Sequence, residues 1–264
     1  MADYLLRDDA PLTKEQWDGI DKSVVESAKA VLVGRKFLPL FGPVGAGTFV
    51  VPNGEANEGA GMKFVRLNML CRDFVYGWRD IQYFEENNLP LDTGKVFSAA
   101  AMLAADEDKL LFYGDTEKGA EGILTVNGKL SYARNDWQKG SAYDDVVAAL
   151  ALLRSHYQFG PYVMVTSPPL FAALNKVYKD TPYLDAERIE RLGVKLYQSP
   201  VLKDEDAFIV SANAQNMDLV IGQDIITAFV ETADMNHRFR ILEILGLRIK
   251  RPDSIVALTC KEVQ

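Results

Sequence analysis

The glycine-rich stretch FGPVGAGTF, residues 41–49, is the first segment of the chain that could bind a phosphate group. A phosphate loop of the GxxxxGK[ST] type needs two glycines that let backbone N–H groups converge on an anion, and a lysine that neutralises it. Gly42 and Gly47 have that separation, but Thr48 stands where the lysine belongs. The residues that follow, Phe49–Pro52, are typical of extended chain. The stretch therefore predicts a flexible connector between a helical part and an extended arm.

Histidine and cysteine, which often bind metals, are scarce. The two histidines, His156 and His237, lie in no HExxH or ExxH pattern, so one chain cannot build a histidine-rich metal site. We expect structural roles for both, His156 near the end of a helix and His237 before a strand. Cys71 and Cys260 are too far apart in sequence for a CxxC pair and are predicted to be buried thiols. We expect no metal and no cofactor.

Three consecutive acidic residues, Asp106, Glu107 and Asp108, offer the one carboxylate cluster that could support acid–base catalysis. On a helix, consecutive side chains point in different directions and do not converge on a substrate. A solvated turn of helix is the simpler interpretation. A serine nucleophile elbow of the GxSxG type is absent as well. A soluble carboxylate-dependent enzyme stays open as an alternative, but we expect a protein that is not an enzyme.

The overall composition limits the partners. The chain has 264 residues, 48% of them hydrophobic, with a net charge of −8 and a sequence pI of about 4.9. Beyond RIKR at Arg248–Arg251 there is no basic cluster, so binding to nucleic acid is not expected. No apolar run is long enough for a membrane span, and the N-terminal residues lack the pattern of an export signal. We expect a cytoplasmic protein with no membrane partner.

Hydrophobic periodicity predicts the elements that must position these residues. A helix over Thr13–Val33 has a capping box of Thr13 and Gln16 and one apolar stripe. The segment 42–61 is predicted to be a hairpin-like arm. A long helix opens at Asp92 and Thr93 and runs to Phe112, and its alanine-rich middle indicates cover on several sides. Further helices are expected after Ser141, from Pro168 to Tyr178 and over Asp185–Leu192, and strands over PYVMVTS, Val194–Tyr197, Ala207–Ser211, Met217–Ile221, Phe239–Lys250 and Ser254–Thr259.

Helices and strands alternate irregularly, without a βαβ repeat, which favours an α+β architecture. The strings that carry a more specific signal span nearly the whole chain in order: APLTKEQWDGID, LVGRKF, WRDIQ, LPLD, EDKLLFYGD, EGILTVNG, FGPYVMV, YQSPVL, NMDLVIGQD, MNHRFR and LRIKRPDSI. Together they resemble encapsulins, the linocin-like shell proteins of bacterial nanocompartments.

The resemblance implies the tailed-phage major capsid fold of the Hong Kong ninety-seven phage type, with a peripheral domain, an axial domain and an extended loop. We expect an N-terminal helix and peripheral segment at 1–41, an extended loop at 42–77, a peripheral domain with the spine helix at 78–123, an axial domain at 124–222, a peripheral return at 223–243, and C-terminal strands joining the axial domain at 244–264. Gly42, Gly45 and Gly47 would then form the hinge into the loop.

The resemblance also implies a homo-oligomer of roughly sixty copies or a multiple, closed into an icosahedral shell. The shell would enclose a ferritin-like iron-storage or peroxidase cargo enzyme that docks through a C-terminal targeting peptide. Carried over to matching positions, the docking residues are Ala28, Val31, Arg35, Phe37, Gln223, Asp224, Ile225 and Ile226. The loop around the fivefold pore is Lys179, Asp180, Thr181, Pro182 and Tyr183. A viral major capsid protein enclosing DNA is the alternative within the same fold.

Overall fold

The computed structural model describes residues 4–54, 63–177 and 183–260. The helices of this part are α1 (Lys14–Val31), α2 (Trp78–Glu86), α3 (Gly94–Tyr113), α4 (Ala142–Ser155), α5 (Pro168–Leu174) and α6 (Asp185–Arg191). The strands are β1 (Leu40–Phe41), β2 (Val50–Asn53), β3 (Lys63–Arg66), β4 (Asn68–Gly77), β5 (Gly114–Asp115), β6 (Ala120–Glu121), β7 (Leu130–Arg134), β8 (Tyr162–Thr166), β9 (Val194–Gln198), β10 (Ala207–Ser211), β11 (Met217–Ala233), β12 (Asn236–Ile249) and β13 (Ile255–Cys260).

Two sheets organise these elements. A four-stranded sheet has the order β1-β11-β12-β4, and a five-stranded sheet has the order β7-β13-β10-β8-β9. Strands β2 and β3 pair antiparallel as a separate arm, as the sequence predicts. The boundary expected at 243/244 falls inside β12, and the domain boundaries stay a prediction. None of the helices among the described residues is long and apolar enough to cross a membrane.

Helices α1 and α3 pack on the four-stranded sheet. The capping box of Thr13 and Gln16 is present at the start of α1, which confirms the predicted N-terminus. The apolar stripe of α1 is buried, and the Ser27 hydroxyl donates a hydrogen bond to the carbonyl of Phe97 in α3 at 2.8 Å. Trp17 meets Phe239 of β12 edge to face, with ring centroids 5.7 Å apart. The apolar face of α1 therefore packs against α3, the predicted spine helix, and against the four-stranded sheet.

The five-stranded sheet separates two apolar cores. In β8, Val163 and Val165 face the core shared with α1 and α3, while Tyr162 and Met164 face a second core built with α4, α5 and α6. All five β8 side chains are buried, because successive strand residues point to opposite faces and each face is covered. This accounts for the uninterrupted apolar run that the sequence shows there.

Several elements differ from the sequence predictions. Helix α2 was not expected, and α5 ends at Leu174, whereas Tyr178 lies outside the described residues. Strand β11 extends to Ala233 instead of ending near Ile221, since it forms a long antiparallel ladder with β12. A two-residue turn of Asp234 and Met235, both with positive φ, joins them. Here pairing between distant strands decided the element length.

The prediction of two buried thiols is only partly right. Cys71 on β4 is half-buried, and Cys260 at the end of β13 is exposed, so the latter prediction is wrong. The side chain at the last position of a strand leaves the packed part of the sheet. His156 caps the end of α4, as expected. His237, expected before a strand, lies within β12 instead, because the β11–β12 ladder extends to Asn236.

Candidate functional site

A cavity of about 330 Å³ opens between the C-terminal half of α1 and the middle of β11. We call it the α1–β11 groove. Ala28 and Leu32 are buried along its wall and pack with Ala104 of α3, and Val31 and Ile225 pack against the same cluster. The groove is lined by Val25, Ala28, Lys29, Leu32, Arg35, Lys36, Asp224 and Ile225. It thus combines an aliphatic floor with charged side chains at its edge.

Four of the eight residues inferred from the resemblance line this groove: Ala28, Arg35, Asp224 and Ile225. They come from α1, from the turn after it and from β11, which are almost two hundred residues apart in sequence; Arg35 and Asp224 are separated by 189 positions. Antiparallel pairing of β11 with β12, and the packing of α1 on α3, bring them together.

The other four lie around the groove. Phe37 belongs to the main core, where its ring lies 6.4 Å from that of Tyr197. Gln223 accepts a hydrogen bond from the hydroxyl of Tyr4 at 2.9 Å. Ile226 is half-buried and pairs with Leu242 in the β11–β12 ladder. Val31, described above, is half-buried as well. These side chains support the groove or flank it, and the described geometry does not place them in its lining.

Arg35 holds the charged side of the groove together. Its Nε donates to both oxygens of Glu107, at 2.9 and 3.0 Å, its Nη1 to Asp224 Oδ1 at 2.6 Å, and its Nη2 to Glu243 Oε2 at 2.7 Å. Burial opposes the charged guanidinium, but the hydrogen bonds and charges of these carboxylates outweigh it and raise the pKa of Arg35. One permanently charged residue therefore ties α3, β11 and β12 to the end of α1.

The acidic partners of Arg35 differ in exposure. The side chains of Glu107 and Glu243 are fully buried, whereas that of Asp224 is 67% exposed at the groove mouth. Burial, together with the charge and hydrogen bonding of Glu107, raises the pKa of Glu243 well above its usual range, although Arg35 opposes this. The pKa of Asp224 is lowered, because the bond and charge of Arg35 outweigh its partial burial. Asp224 is thus ionised at the groove mouth at neutral pH, where it is paired with Arg35 and where Lys29 and Lys36 also line the groove.

Asp108 fixes the chain where α1 ends. Its two oxygens accept hydrogen bonds from the backbone N–H groups of Val33 and Gly34, both at 2.8 Å. Burial raises the pKa of Asp108 to about 7, although these two bonds lower it. Gly34 must be small, because a Cβ there would lie 2.5 Å from Leu111 Cδ1. Gly34, in the turn that follows α1, therefore permits close approach of this turn to α3.

The expectation of a solvated acidic turn is wrong for two of its three residues. Glu107 and Asp108 have no exposed surface, and Asp106 alone reaches the surface, where it accepts from Arg72 at 2.6 Å. The signal that sequence reasoning missed was already present: α3 was expected to be covered on several sides, so consecutive acidic residues in it could not all reach solvent. Both oxygens of each of these two buried carboxylates accept hydrogen bonds. This arrangement favours a structural role over a role in catalysis.

The pore residues are described only at their edge. Lys179, Asp180, Thr181 and Pro182 lie outside the described residues. Tyr183 is half exposed, and the guanidinium of Arg191 lies 5.2 Å from the centre of its ring. Tyr183 therefore marks the C-terminal edge of the loop, just before α6.

The glycine-rich connector joins the sheet to the β2–β3 arm. The N–H of Val44 donates to the carbonyl of Ile221 at 2.9 Å, and that of Gly45 to Gly222 at 3.0 Å. Gly42 has a φ of 127°, and a Cβ there would lie 2.4 Å from the Ile221 carbonyl oxygen. The N–H groups of Val44 and Gly45 thus donate to β11. This use of the backbone donors disfavours a phosphate site in the connector and agrees with the connector interpretation.

Comparison with known proteins adds the family. The family model Linocin_M18, described as encapsulating protein for peroxidase, matches residues 2–246. The chain is 37% identical to the type 1 encapsulin shell protein EncA of Myxococcus xanthus, over 98% of this chain and 97% of that protein. It is 33% identical to a diheme-cytochrome-encapsulin shell fusion protein of Kuenenia stuttgartiensis, over 94% of this chain and 73% of that protein.

Solved structures show the fold. A virus-like particle protein from Pyrococcus furiosus superimposes with a TM-score of 0.77 at 20% identity, covering 92% of this chain and 99% of that chain. The capsid protein of Myoviridae phage XM1 superimposes with a TM-score of 0.61 at 14% identity, covering 86% and 90%. The expected α+β fold of the tailed-phage capsid type is confirmed. The chain belongs to the encapsulin shell-protein family.

Proposed function

We propose that this chain is the shell subunit of an icosahedral nanocompartment and that the α1–β11 groove receives the C-terminal targeting peptide of an enclosed cargo enzyme. The observation that carries the docking proposal is the groove itself, an aliphatic cavity beside α1 with Lys29, Lys36 and the Arg35–Asp224 ion pair at its edge. Its aliphatic floor suits a peptide that inserts a few apolar side chains.

Each apolar anchor that the peptide buries would contribute about 1.5–3 kcal/mol, less the cost of ordering the peptide. Two or three anchors give a modest affinity at one site. A multimeric cargo facing many identical grooves would bind far more tightly, since each further contact is intramolecular. Cargo retention would therefore depend on closure of the shell as well as on the groove.

Shell assembly is supported by apolar surface that this chain does not cover. On the β2–β3 arm, Phe49 and Phe64 are 79% and 59% exposed, and Val50 is 50% exposed. Large exposed apolar side chains that lie together mark interfaces. We propose that the arm lies on a neighbouring copy and that roughly sixty copies or a multiple close the shell.

The cargo class follows from the family and the fusion relative. The family model is described by its encapsulation of a peroxidase, and the relative from Kuenenia stuttgartiensis is fused to a diheme cytochrome. We propose a redox enzyme cargo, of the peroxidase or ferritin-like type, held in the cytoplasm. The net charge of −8 favours a protein content over DNA, which sets this chain apart from a viral capsid.

The loop containing Lys179–Pro182 and Tyr183 is proposed to line the fivefold pore, and the half-exposed ring of Tyr183 supports an accessible position there. We propose no catalysis by the shell chain itself, because its buried carboxylates Glu107 and Asp108 are committed to Arg35 and to the backbone of the turn after α1.

Replacement of Val25 with aspartate tests the dock. Val25 lines the groove and is 47% exposed. Val25→Asp therefore adds a charge where the apolar anchors of the peptide would bind, with little effect on folding. We expect hollow spheres of normal size by electron microscopy that carry about tenfold less co-purifying cargo by mass spectrometry.

The matched control is Val147→Asp on α4, where the valine is 40% exposed and distant from the groove; it should load cargo like the parent shell. Equal cargo content in shells of both variants would remove the docking proposal. A purified protein that stays a single subunit would remove the shell proposal.

A further inference from the structure

Two buried carboxyl groups beneath the groove compete for one guanidinium nitrogen. Arg35 Nη2 lies 2.9 Å from Glu107 Oε2 and 2.7 Å from Glu243 Oε2, and neither carboxyl has any exposed surface. Together with Asp224, three acidic groups face a single cation. Two like charges at such close range cannot both remain ionised at low energetic cost in a buried site.

Glu243 also has a buried oxygen that a proton would satisfy. Among the described residues no donor reaches its Oε1, while its Oε2 accepts from Arg35. A bare carboxylate oxygen in this position would pay the full cost of desolvation. A protonated Glu243 instead carries an O–H that can donate to the neighbouring carboxylate of Glu107.

We infer that Glu107 and Glu243 share one proton, that this proton holds Arg35 in the wall of the α1–β11 groove, and that its release loosens the groove. Glu107 and Glu243 are positioning residues in this scheme, since they act on a bound peptide through Arg35 and Asp224. The effect on docking rests on the proposed function, whereas the shared proton does not.

The surroundings of Glu243 determine the direction of the effect. Arg35 faces it from the turn after α1, Glu107 from α3 and Asp224 from β11, while β4 places the uncharged Leu70 opposite it. Lys36 acts on the neighbouring Asp108. When the proton leaves, α3 and β12 carry facing negative charges with one guanidinium between them. We expect these elements to separate slightly, and the turn that carries Arg35 to become mobile.

The sign follows from linkage. Because the pKa of Glu243 is raised in the folded state, its stabilising contribution is complete below the ordinary glutamate range and is lost as pH rises through the raised value. The pKa of Asp108, about 7, makes its contribution fade in the same direction, but that change is largely finished about one pH unit above this value, and Asp108 is present in both proteins compared below. A slope that persists at higher pH therefore belongs to the pair.

Hydrogen exchange on empty shells tests the shared proton. We would compare the parent and Glu243→Gln at each of about pH 7, 8 and 9, so that intrinsic exchange cancels, and follow peptides covering 28–36. The glutamine amide imitates the protonated acid and carries no titrating proton. As long as the folded groove holds a proton that the opened groove has lost, the ratio of parent to variant exchange should rise by up to about tenfold per pH unit, and it should level off once the folded groove loses the proton as well. A ratio that stays constant with pH would overturn the inference.

Glu231→Gln is the matched control, because Glu231 lies on β11, the strand paired with β12, in an exposed ion pair with Arg238. Its exchange should follow the parent at every pH. Should Glu243→Gln fail to assemble, infrared spectra of the parent shell decide the matter. A carbonyl stretching band of a protonated carboxylic acid that persists above pH 7 supports the shared proton, and the absence of that band contradicts it.

The same samples separate this inference from the docking proposal. Over the pH range in which the exchange ratio rises, parent shells should release cargo more readily at the higher pH, and Glu243→Gln shells should retain it throughout. A constant exchange ratio refutes the shared proton and leaves docking intact. A pH-dependent ratio, combined with unchanged cargo content in Val25→Asp shells, supports the shared proton and refutes docking in this groove.

Discussion

The β11–β12 hairpin carries two charged clusters that are built differently. Near the start of β11, Asp218 accepts from Arg248 Nε and Nη2, both at 2.8 Å, and from Lys250 Nζ at 2.6 Å. One carboxylate there has two cations, and both of its oxygens are satisfied. Asp218 and Arg248 lie directly opposite each other on the paired strands β11 and β12.

The cluster beneath the groove has the opposite balance. Arg35 is a single cation among three acidic residues, and no donor in the described part of the chain reaches one buried oxygen of Glu243. Buried ion pairs stabilise a fold only when the geometry and the partners are complete. The complete cluster therefore suits a structural role, and the incomplete one, which borders a cavity, suits a site whose protonation or occupancy changes.

The largest expected effect sharpens this contrast at the complete cluster. Asp218→Asn leaves Arg248 and Lys250 mostly buried without their counter-charge. We expect the free energy of unfolding to fall by about 3–5 kcal/mol, because uncompensated buried charges are costly. We expect this loss to be similar at about pH 6 and pH 9, because no second acidic group competes with Asp218 for the two cations. Denaturant unfolding across that range measures it, and a strongly pH-dependent loss would contradict the contrast.

A smaller and pH-dependent effect is expected at the incomplete cluster. Arg35→Met removes the cation shared by Glu107, Glu243 and Asp224. Without it, the buried acids hold their protons more strongly than in the unfolded chain, so the deficit grows as pH rises. We expect a loss of about 3 kcal/mol at pH 8 and clearly less at pH 5. Equal losses of stability at the two pH values would contradict the expected difference between the groove cluster and the Asp218 cluster.

The smallest effect comes from an ion pair at the surface of the same sheet. Asp73 on β4 accepts from Arg240 of β12 at 2.7 and 2.9 Å, and both side chains are about one-third exposed. The pKa of Asp73 is lowered by that bond. Because solvent screens such pairs, Asp73→Asn should cost less than about 1 kcal/mol, and the cost should shrink in high salt. A loss of stability comparable to that of Asp218→Asn would mean that burial does not explain the difference between the surface ion pair and the buried cluster.

Local signals in the sequence were sufficient for several elements. The capping box at Thr13 and the periodic apolar stripe predicted α1 to within two residues at its C-terminal end, and the apolar run at Tyr162–Thr166 predicted a strand buried on both faces. These features depend on neighbours within a few positions, through helix capping and through the periods of helix and strand. The quoted family strings, likewise, identified the fold without any geometry.

Contacts between distant residues required the tertiary structure. Arg35 meets its acidic partners across 72, 189 and 208 positions, and no local pattern encodes that meeting. The burial of Glu107 and Asp108, and the extension of β11 to Ala233, depend likewise on which surfaces pack together. Side-chain type and spacing determine what a segment can form, but burial and the field of surrounding charges exist only after the chain has folded.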